Sequence, residues 1–569
     1  RRARRCSWRS PARTSTANDG FVGNNTAGTF GYVAGAIGEA GGSRELSKVG
    51  AGTIRLNGTN TYSGGTRFTA GVLDVPALSD LGPSGVGTGR FVFAGGTLRY
   101  SGLTDVTTAR AVTNAGNAGW EITNNVRLTL TGPMTGGGAL FKYGVGTWVW
   151  ASNQVASYGG WRIQRGTLIV DGVGYTNTTT AEEWLGNAAG DYSWLYLTNN
   201  SRIIKTAASW FQVAAIAGST GVVVMTDGFI HSANTTKGIL LGNQANTFGV
   251  LHQLGGSVYS GYEVDAGYGA ASAYGFYNLR GGSLSNASWI QACRTGLGLI
   301  YAQGGEINQL AAGQGIVVAN AGTGVLYIAG SPVRAAGRLA LGWVGTSRGE
   351  TTIAGGSLVT IGTGGVQFNQ TGTTFSVLNL NDGWLETSNI VKQSTGGYSV
   401  VNFNGGGLRA LGTRTLLGPG AGGVGPLDAA YVHAGGARLD TSNHTVTVSQ
   451  NLLAPTGSGV TALPWGGPIT GYLGAPYVAI RGGGGTGATA VALFDHSSGT
   501  VTGLVLTCPG VDYTSPPDVT LMGGGPGTNF LGVATIGANA SGGLTKLGGG
   551  TLVLAGTNTY TGVTVVATG

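Results

Sequence analysis

Charged residues are scarce in this sequence. Asp, Glu, Lys and Arg together make up 9% of 569 residues, against roughly 25% in an average soluble protein. Hydrophobic residues reach 41%, so the chain has enough apolar side chains to build a core, which argues against a disordered protein. Only 15 prolines occur and glycine does not recur at every third position, which excludes a collagen-like triple helix. No run of 18 apolar residues is present, so we expect no membrane insertion through a helix.

Cysteine is almost absent as well. Cys6, Cys293 and Cys508 are the three cysteines of the chain. Their spacing matches neither a zinc site nor the disulfide framework of a small secreted domain. Two interpretations remain open for the latter pair, namely buried free thiols and a Cys293–Cys508 bridge.

The net charge of +8 is concentrated at one end of the sequence. Six arginines lie within the first 13 residues, and without them the net charge would be +2. A nucleic-acid-binding domain carries its basic residues as a patch on the folded surface. We therefore interpret residues 1–24 as a basic N-terminal tail and expect no nucleic-acid partner.

Glycine is abundant, with 111 residues, and internal repeats accompany it. Residues 47–71 and 545–569 align without a gap. Both contain a lysine, a Gly-x-Gly-Thr turn, an alternating apolar strand and the sequence Gly-Thr-Asn-Thr-Tyr. Residues 141–166 form a degenerate third copy. Self-similarity of this kind is typical of solenoid architectures.

A second repeat runs through the middle of the chain. Pairs of small residues followed by a short alternating strand begin at 227, 255, 281, 304, 330, 355, 382 and 405. The mean spacing of about 25 residues suits one coil of three short strands and three turns. The sequence therefore predicts an all-β fold, a right-handed parallel β-helix over residues 25–455.

Two segments depart from this pattern. The sequence TAEEWL at 180–185 has the spacing of a helix capping box between Thr180 and Glu183, which predicts a short helix. Residues 456–541 contain two related halves, which predicts a small β module inserted before a terminal β-strand repeat at 542–569.

The terminal repeat resembles a known family. GLTKLGGGTLVLAGTNTYTG, residues 543–562, is similar to the autotransporter-associated β-strand repeat of bacterial surface proteins. The resemblance implies an exported parallel β-helix passenger, extracellular or at the bacterial cell surface, with an adhesive or structural role. The positions that carry the motif, to which we assign a structural role, are Lys48, Gly50, Gly52, Thr53, Asn60 and Tyr62 in one copy, and Lys546, Gly548, Gly550, Thr551, Asn558 and Tyr560 in the other.

Candidate catalytic groups are few. Glu182–Glu183 is the single adjacent acidic pair, whereas glycoside hydrolysis needs two cooperating carboxylates. Glu263 and Asp265 would share one face of a strand, where a calcium ion is an alternative to solvent-facing carboxylates. The five histidines show no metal-binding spacing. We therefore expect a non-enzymatic protein with no catalytic, cofactor-binding or metal-binding residue. A polysaccharide lyase or hydrolase is the less favoured alternative.

The aromatic residues and the repeats suggest partners. Trp148, Trp150 and Trp161 either pack in the core or contact a glycan, in which case the partner is a surface polysaccharide. The near identity of the two terminal copies predicts self-association end to end into a homopolymer. Gly569 of one subunit would then approach the N-terminal coils of the next. A fibre or sheath subunit is thus the first functional hypothesis, and an adhesin or carbohydrate-binding passenger is the alternative.

Overall fold

The computed structural model describes residues 20–84, 89–152, 156–157, 159–525 and 528–568. The fold is a parallel β-solenoid of about 16 turns with about 26 residues each, which confirms the predicted parallel β-helix. Within the described ranges, a single 3-10 turn, Leu78–Leu81, is the only helical element. No helix in that part of the chain is long and apolar enough to cross a membrane.

The solenoid strands alternate between core and surface. In Arg202–Lys205, for example, the second and fourth side chains are buried and the first is exposed, as the two-residue period of a strand requires. Each strand pairs in parallel with its counterpart in the next coil, with Gly174 opposite Arg202 and Asn177 opposite Lys205. Stacking of like coils thus forms long parallel sheets, which we number 1 to 4.

The chain divides into two compact units. The first contains residues up to Ser209 together with Thr226–His231, and the second contains Trp210–Met225 and Ser232 onwards. In the first unit, sheet 1 contains Gly20–Gly23, Leu46–Val49, Thr66–Phe68, Phe91–Phe93, Val112–Asn114 and Met134–Gly136. Its sheet 2 strands are Phe30–Val33, Thr53–Leu56, Val72–Val75, Thr97–Tyr100, Ala118–Ile122, Leu140–Tyr143, Trp161–Ile163 and Glu183–Leu185. Its sheet 3 strands are Val106–Thr108, Arg127–Leu130, Thr147–Trp150, Gly166–Asp171 and Tyr192–Thr198. Sheet 4 takes the place of sheet 1 in the later coils, with Ala156–Ser157, Gly174–Asn177, Arg202–Lys205 and Phe229–Ser232, of which Ser232 belongs to the second unit.

The second unit repeats the order of sheets 2, 3 and 4. Sheet 2 contains Phe211–Val213, Ile239–Leu241, Val264–Ala266, Ile290–Gln291, Gly315–Val317, Arg338–Leu341, Gly365–Phe368, Ile390–Lys392, Arg414–Leu417, Val446–Val448 and Leu552–Leu554. Sheet 3 contains Thr220–Met225, Phe248–Gln253, Tyr274–Leu279, Leu297–Ala302, Thr323–Ala329, Arg348–Ala354, Phe375–Leu380, Tyr398–Phe403 and Ala429–Val432. Sheet 4 contains Ser257–Ser260, Ser283–Asn286, Glu306–Gln309, Val333–Ala335, Leu358–Ile361, Trp384–Thr387, Gly407–Ala410, Ala437–Asp440, Leu544–Leu547 and Thr564–Val566.

An antiparallel module interrupts the last coils. Its strands are Ser458–Ala462, Ile469–Thr470, Tyr477–Arg481, Thr489–Asp495, Thr500–Cys508, Asp518–Met522, Asn529–Val533 and Thr535–Ala538. All of them lie within residues 456–541, the range predicted for the module. After the module the chain returns as Leu544–Leu547, which pairs in parallel with Ala437–Asp440. The terminal repeat thus stacks directly on the coil that precedes the module.

The two related halves of the module are two hairpins. Tyr477–Arg481 pairs antiparallel with Thr489–Asp495, and Asp518–Met522 pairs in the same way with Asn529–Val533. The first strands of the two hairpins also pair with each other, with Tyr477 opposite Met522. In the first hairpin, the glycine-rich residues 482–487 lie between the two strands.

Three predictions about local structure need correction or completion. The predicted helix at 180–185 is wrong, because Glu183–Leu185 is a sheet 2 strand that pairs with Trp161–Ile163. Burial of Glu183 and Leu185 in the core outweighs the local capping preference. The predicted tail is too long, because Gly20–Gly23 already pairs with Leu46–Val49. The tail arginines and Cys6 lie outside the described residues.

The cysteines of the described chain are free thiols. Cys293 and Cys508 are both buried and not bonded to each other, so the alternative of a disulfide bridge is wrong. Burial raises the pKa of each thiol to about 12. Both cysteines therefore stay protonated and act as small apolar core residues.

Candidate functional site

The repeat lysine closes a corner of its coil. In the first copy Lys48 Nζ donates to three backbone oxygens, those of Val49 at 2.8 Å, Gly50 at 2.7 Å and Ala70 at 2.9 Å. In the degenerate copy Lys142 Nζ donates to those of Tyr143 at 2.6 Å, Gly144 at 2.8 Å and Arg165 at 3.0 Å. Lys546 donates to the oxygens of Gly548 and Thr568. In each case the last acceptor lies in the following coil, so the lysine joins two coils.

Burial changes the acidity of these lysines. Desolvation lowers the pKa of Lys48 to about 8 and that of Lys142 to about 7. Neither has a carboxylate partner among the hydrogen bonds above. Both amines are buried and donate to backbone oxygens of the coil corner, so Lys48 and Lys142 have a structural role and offer no exposed cation to a ligand.

The repeat glycines are required by close backbone approach. Gly50 and Gly548 have φ angles of +75° and +79°, in the left-handed region that favours glycine. A Cβ atom on Gly550 would lie 2.1 Å from the carbonyl oxygen of His444, and one on Gly52 would lie 2.7 Å from that of Thr26. Glycine at these positions therefore permits the coils to stack.

The repeat asparagine and threonine bond to neighbouring coils. Asn60 Oδ1 accepts from the amide of Ile37 at 2.6 Å, and its Nδ2 donates to the carbonyl oxygen of Asp80. Asn558 Oδ1 likewise accepts from the amide of Leu452 at 2.9 Å.

The repeat threonine makes backbone bonds to the neighbouring coil. The backbone amide of Thr53 donates to the backbone oxygen of Thr29 at 2.9 Å, and the backbone oxygen of Thr551 accepts from the backbone amide of Val446 at 2.8 Å. These bonds hold each repeat in register.

The repeat tyrosine makes the same bond in both copies. The Tyr62 hydroxyl lies 2.8 Å from Thr66 Oγ1, and the Tyr560 hydroxyl lies 2.6 Å from Thr564 Oγ1. Tyr62 is 2% exposed. Burial raises its pKa to about 12. The tyrosine therefore fixes the corner between two strands.

The three candidate tryptophans are core residues. Trp148, Trp150 and Trp161 are 1%, 2% and 4% exposed. Trp148 stacks on Trp120 with ring centroids 4.9 Å apart and planes 13° apart. A ring enclosed in this way has no open face for a sugar, so the glycan-contact interpretation is wrong for these residues. Packing is their role.

The acidic pair at Glu263 and Asp265 surrounds an arginine. Arg294 Nη1 contacts Glu263 Oε2 and lies 3.6 Å from Asp265 Oδ2. Burial raises the pKa of Asp265 well above its usual value. Arg294 occupies the place that the calcium alternative assigns to a metal ion. Among the described residues there is no group of three or more His, Cys, Asp or Glu side chains that could hold a metal.

The inserted module packs against the outer face of sheet 3. All six residues of Tyr274–Leu279 are buried, because the core covers one face and the module covers the other. The bonds that join module and sheet are His252 Nε2 with Leu473 O at 2.9 Å, Tyr274 OH to Ala475 O at 2.6 Å, Tyr477 OH to Glu350 Oε1 at 2.8 Å and Asn379 Nδ2 to Thr489 Oγ1 at 2.9 Å. The module is therefore docked along several coils of the second unit.

A groove of about 530 Å³ runs beside this contact. Its solenoid side consists of Leu254, Arg280 and Gln303, each directly after a sheet 3 strand in three consecutive coils. On the module side, the strand Thr489–Asp495 also pairs antiparallel with Thr500–Cys508, and the groove is lined near the turn between these two strands. The lining residues there are Leu493, Phe494, Asp495, His496 and Thr502. We call it the corner groove.

Arg280 is the cation of the corner groove. Its Nη2 donates to the backbone oxygen of Phe494 at 3.0 Å, which orients the guanidinium. Within the described ranges no carboxylate oxygen lies within the 4.0 Å of an ion pair from Arg280. Arginine stays protonated at any physiological pH. The groove thus contains an oriented positive charge without an ion-pair partner among those residues.

The other titratable groups of the groove are Asp495 and His496. Hydrogen bonds from Ser498 and Ser497 lower the pKa of Asp495 to about 2. Partial burial lowers the pKa of His496, and the nearby Arg280 acts in the same direction. At neutral pH the groove therefore contains one carboxylate and one neutral imidazole beside the guanidinium.

A second cavity, of about 600 Å³, lies in the first unit. Its cation, Arg110, donates to the backbone oxygens of Leu78, Leu81, Gly82, Pro83 and Gly89. The guanidinium is thus bound by its own fold, which leaves the corner groove as the better ligand site.

Comparisons with known proteins find a repeat family and a similar adhesin. The passenger-associated-transport-repeat family matches residues 46–75 and 544–569. The adhesin BmaC autotransporter of Brucella suis biovar 1 (strain 1330) is 35% identical over 151 residues, which cover 26% of this chain and 4% of that adhesin. The chain thus spans a small part of this relative. No solved structure matches this chain. The chain thus contains two repeats of the autotransporter passenger type, as the sequence predicts.

The sequence-based prediction did not identify the corner groove. Arg280 and His496 lie 216 positions apart, and only the docking of the module brings them together. One signal was present, because Leu254, Arg280 and Gln303 each directly precede a glycine pair of the central repeat. Side chains at one repeat position form a column along a solenoid.

Proposed function

We propose that this protein is an adhesive passenger at the bacterial cell surface that binds a carboxylate-bearing glycan in the corner groove. The observation that carries the proposal is the guanidinium of Arg280, oriented by Phe494. A guanidinium binds a carboxylate through two parallel hydrogen bonds. The partner predicted from the sequence, a surface polysaccharide, thus has a specific site in this proposal.

The dimensions and chemistry of the groove suit a short sugar segment. Its three solenoid residues lie in adjacent coils, so with about 4.8 Å per strand spacing the row is roughly 10 Å long. This length accommodates one or two sugar rings. Gln303 and Thr502 offer hydrogen bonds to hydroxyl groups, and Leu254 and Leu493 offer apolar surface to the ring.

The same residues favour binding over cleavage. Glycoside hydrolysis uses two carboxyl groups, of which one acts as a general acid with a raised pKa. Asp495 is the one carboxylate that lines the groove. Its pKa is lowered to about 2, so it holds no proton to donate at neutral pH. We therefore propose a non-enzymatic role.

The similarity to the Brucella adhesin and the passenger-type repeats support the adhesive role and the cell-surface location. Both repeats lie outside the corner groove. They support the proposed adhesive class of protein, whereas the orientation of Arg280 supports the proposed carboxylate ligand.

Calorimetric titration of the full chain with a glucuronate-containing oligosaccharide and its neutral glucose counterpart tests the proposal. We expect binding of the acidic sugar only, weakened about tenfold or more in Arg280→Gln, because a hydrogen bond to a charged group contributes about 1.5–3 kcal/mol. Arg334→Gln is the matched control, since Arg334 is an exposed arginine of sheet 4. Equal binding by Arg280→Gln, or equal binding of the neutral sugar, contradicts the proposal.

End-to-end assembly into a homopolymeric fibre stays a prediction. Gly569, to which the sequence assigns the contact, lies outside the described residues. Negative-stain electron microscopy of the purified protein checks it. Filaments with a regular axial repeat would support assembly, whereas isolated particles at high concentration would contradict it.

A further inference from the structure

Three polar side chains meet in the core of the first unit. Asn177 ends a strand of sheet 4, and Lys205 ends the next strand, directly opposite it. Glu183 begins the sheet 2 strand that follows the corner after Asn177. All three residues are 0% exposed. An amine, a carboxamide and a carboxyl group are thus enclosed together at one corner.

The carboxyl group of Glu183 bridges the other two groups. Its Oε2 contacts Lys205 Nζ, and its Oε1 accepts a hydrogen bond from Asn177 Nδ2 at 2.5 Å. The Tyr175 hydroxyl donates to the same Oε1 at 3.0 Å. The amine and the carboxamide nitrogen therefore lie on the two oxygens of one carboxyl group, and Tyr175 positions it.

We propose that Lys205 Nζ and Asn177 Cγ form an intramolecular isopeptide bond, with Glu183 as the group that transfers the protons. Nothing in the repeat motif or in the corner groove requires this bond. It is a covalent link between two adjacent coils.

The reaction balances without an oxidant or a co-reactant. The lone pair of the neutral Lys205 amine attacks Asn177 Cγ and forms a tetrahedral intermediate. Glu183 accepts a proton from Nζ and delivers it to Nδ2. The Cγ–Nδ2 bond then breaks and ammonia leaves, so amine and carboxamide become a secondary amide and one ammonia.

The carboxamide is arranged for this attack. Asn177 Oδ1 accepts hydrogen bonds from the backbone amide and the hydroxyl of Thr179, both at 2.8 Å. Two donors at this oxygen stabilise the negative charge that develops on it in the intermediate. The leaving nitrogen, Nδ2, faces the carboxyl group that supplies its proton.

The amine is suited to act as a nucleophile. Burial lowers the pKa of Lys205 to about 7, so a large fraction is neutral at physiological pH, whereas an exposed lysine is almost fully protonated. Its other contact is Ser209 Oγ at 2.8 Å. Desolvated lysines are the ones that serve as nucleophiles in enzymes.

Burial of a lysine alone does not create such a site. Lys48 and Lys142 also have lowered pKa values, but their Nζ atoms contact backbone carbonyl oxygens only in the bonds described above. No carboxyl group takes part in those bonds, so none of them could move a proton to a leaving amide. They are therefore matched internal controls within the same chain.

Peptide mapping of the purified full chain by tandem mass spectrometry tests the proposal. We expect the peptides that contain Asn177 and Lys205 to be joined, with a mass lower by one ammonia, and the Lys48 and Lys142 peptides to be unmodified. Separate Asn177 and Lys205 peptides in the unaltered protein overturn the proposal, and this measurement needs no variant that must fold. A Lys205–Glu183 link, recognised by loss of water, also overturns it.

Glu183→Gln tests the proton-transfer role with nearly the same shape. We expect at least a tenfold lower crosslinked fraction in this variant, and none in Asn177→Ala. The circular dichroism spectrum of each variant reports whether the solenoid has formed. Unchanged crosslinking in a folded Glu183→Gln variant contradicts the role of Glu183.

Discussion

The buried lysines show how single residues stabilise a coil corner. Lys142 lies in the core of the first unit with 1% exposure, and it satisfies carbonyl oxygens that two successive coils direct inward. A buried carbonyl oxygen that loses its donor costs about 1–3 kcal/mol. The stabilisation by Lys142 thus depends mainly on the length of its side chain and on its three hydrogen bonds, and less on its charge. The lowered pKa of Lys142 agrees with this.

Lys142→Met should therefore lower the free energy of unfolding by about 3 kcal/mol, because the methionine fills the space but donates no hydrogen bond. Urea denaturation followed by circular dichroism measures the change. Lys237→Met is the control, since Lys237 Nζ lies 5.0 Å from the ring centroid of Trp210 and closes no corner. A similar loss of unfolding free energy in both variants would show that the hydrogen bonds of Lys142 contribute little to stability.

At the scale of the element, one strand–turn–strand repeat occurs in two environments. In the first copy the tyrosine is enclosed, whereas in the terminal copy Tyr560 is partly exposed. The bond from tyrosine to threonine is nevertheless the same. The local geometry is therefore encoded by the repeat itself. The burial of the tyrosine determines how much each bond contributes to the free energy of unfolding.

Tyr62→Phe and Tyr560→Phe form a matched pair for this argument. We expect Tyr62→Phe to cost about 1 kcal/mol, because the buried Thr66 hydroxyl loses its partner, and Tyr560→Phe to cost about zero, because water replaces the bond. Thermal and urea unfolding of both variants measures the difference. Equal costs would mean that burial does not determine the strength of the corner.

At the scale of the whole molecule, the docked module gives the second unit a pH-sensitive contact. His252 and His433 lie where the module meets sheet 3, beside Leu473 and Cys508 respectively. Desolvation lowers the pKa of His252 to about 3 and that of His433 to about 4. Both side chains are therefore neutral in the folded protein and become protonated near pH 6.5 on unfolding.

The contribution of these neutral histidines to the free energy of unfolding is fully present above pH 6.5. It is lost progressively as the pH falls from 6.5 towards the folded-state pKa values, about 4 for His433 and about 3 for His252. At pH 5 the loss is about 2 kcal/mol for each histidine. We expect the melting temperature to fall between pH 7 and pH 5, and the His252→Gln/His433→Gln double variant to show a flatter profile. His444→Gln is the control for removal of a histidine elsewhere, because His444 lies in the solenoid turn before Val446–Val448. A double variant with the unaltered pH profile contradicts this account.

The sequence by itself determined the repeating parts of this protein. The coil length, the parallel stacking, the glycine corners and the motif residues recur in each copy, because every coil must satisfy the same local requirements of inward apolar side chains and tight turns. The two halves of the module were also visible, since each half is a local hairpin with a glycine-rich loop.

Only the tertiary structure determined the features that occur in a single coil or on a single face of the solenoid. Local preference predicted a helix at 180–185, but stacking on the preceding coil makes Glu183 a buried strand residue beside Asn177 and Lys205. Docking of the module places Asp495 and His496 opposite Arg280. These groups are separated by up to about two hundred positions in the chain, and their proximity follows from coil register and from packing energy summed over a whole face, which no local pattern contains.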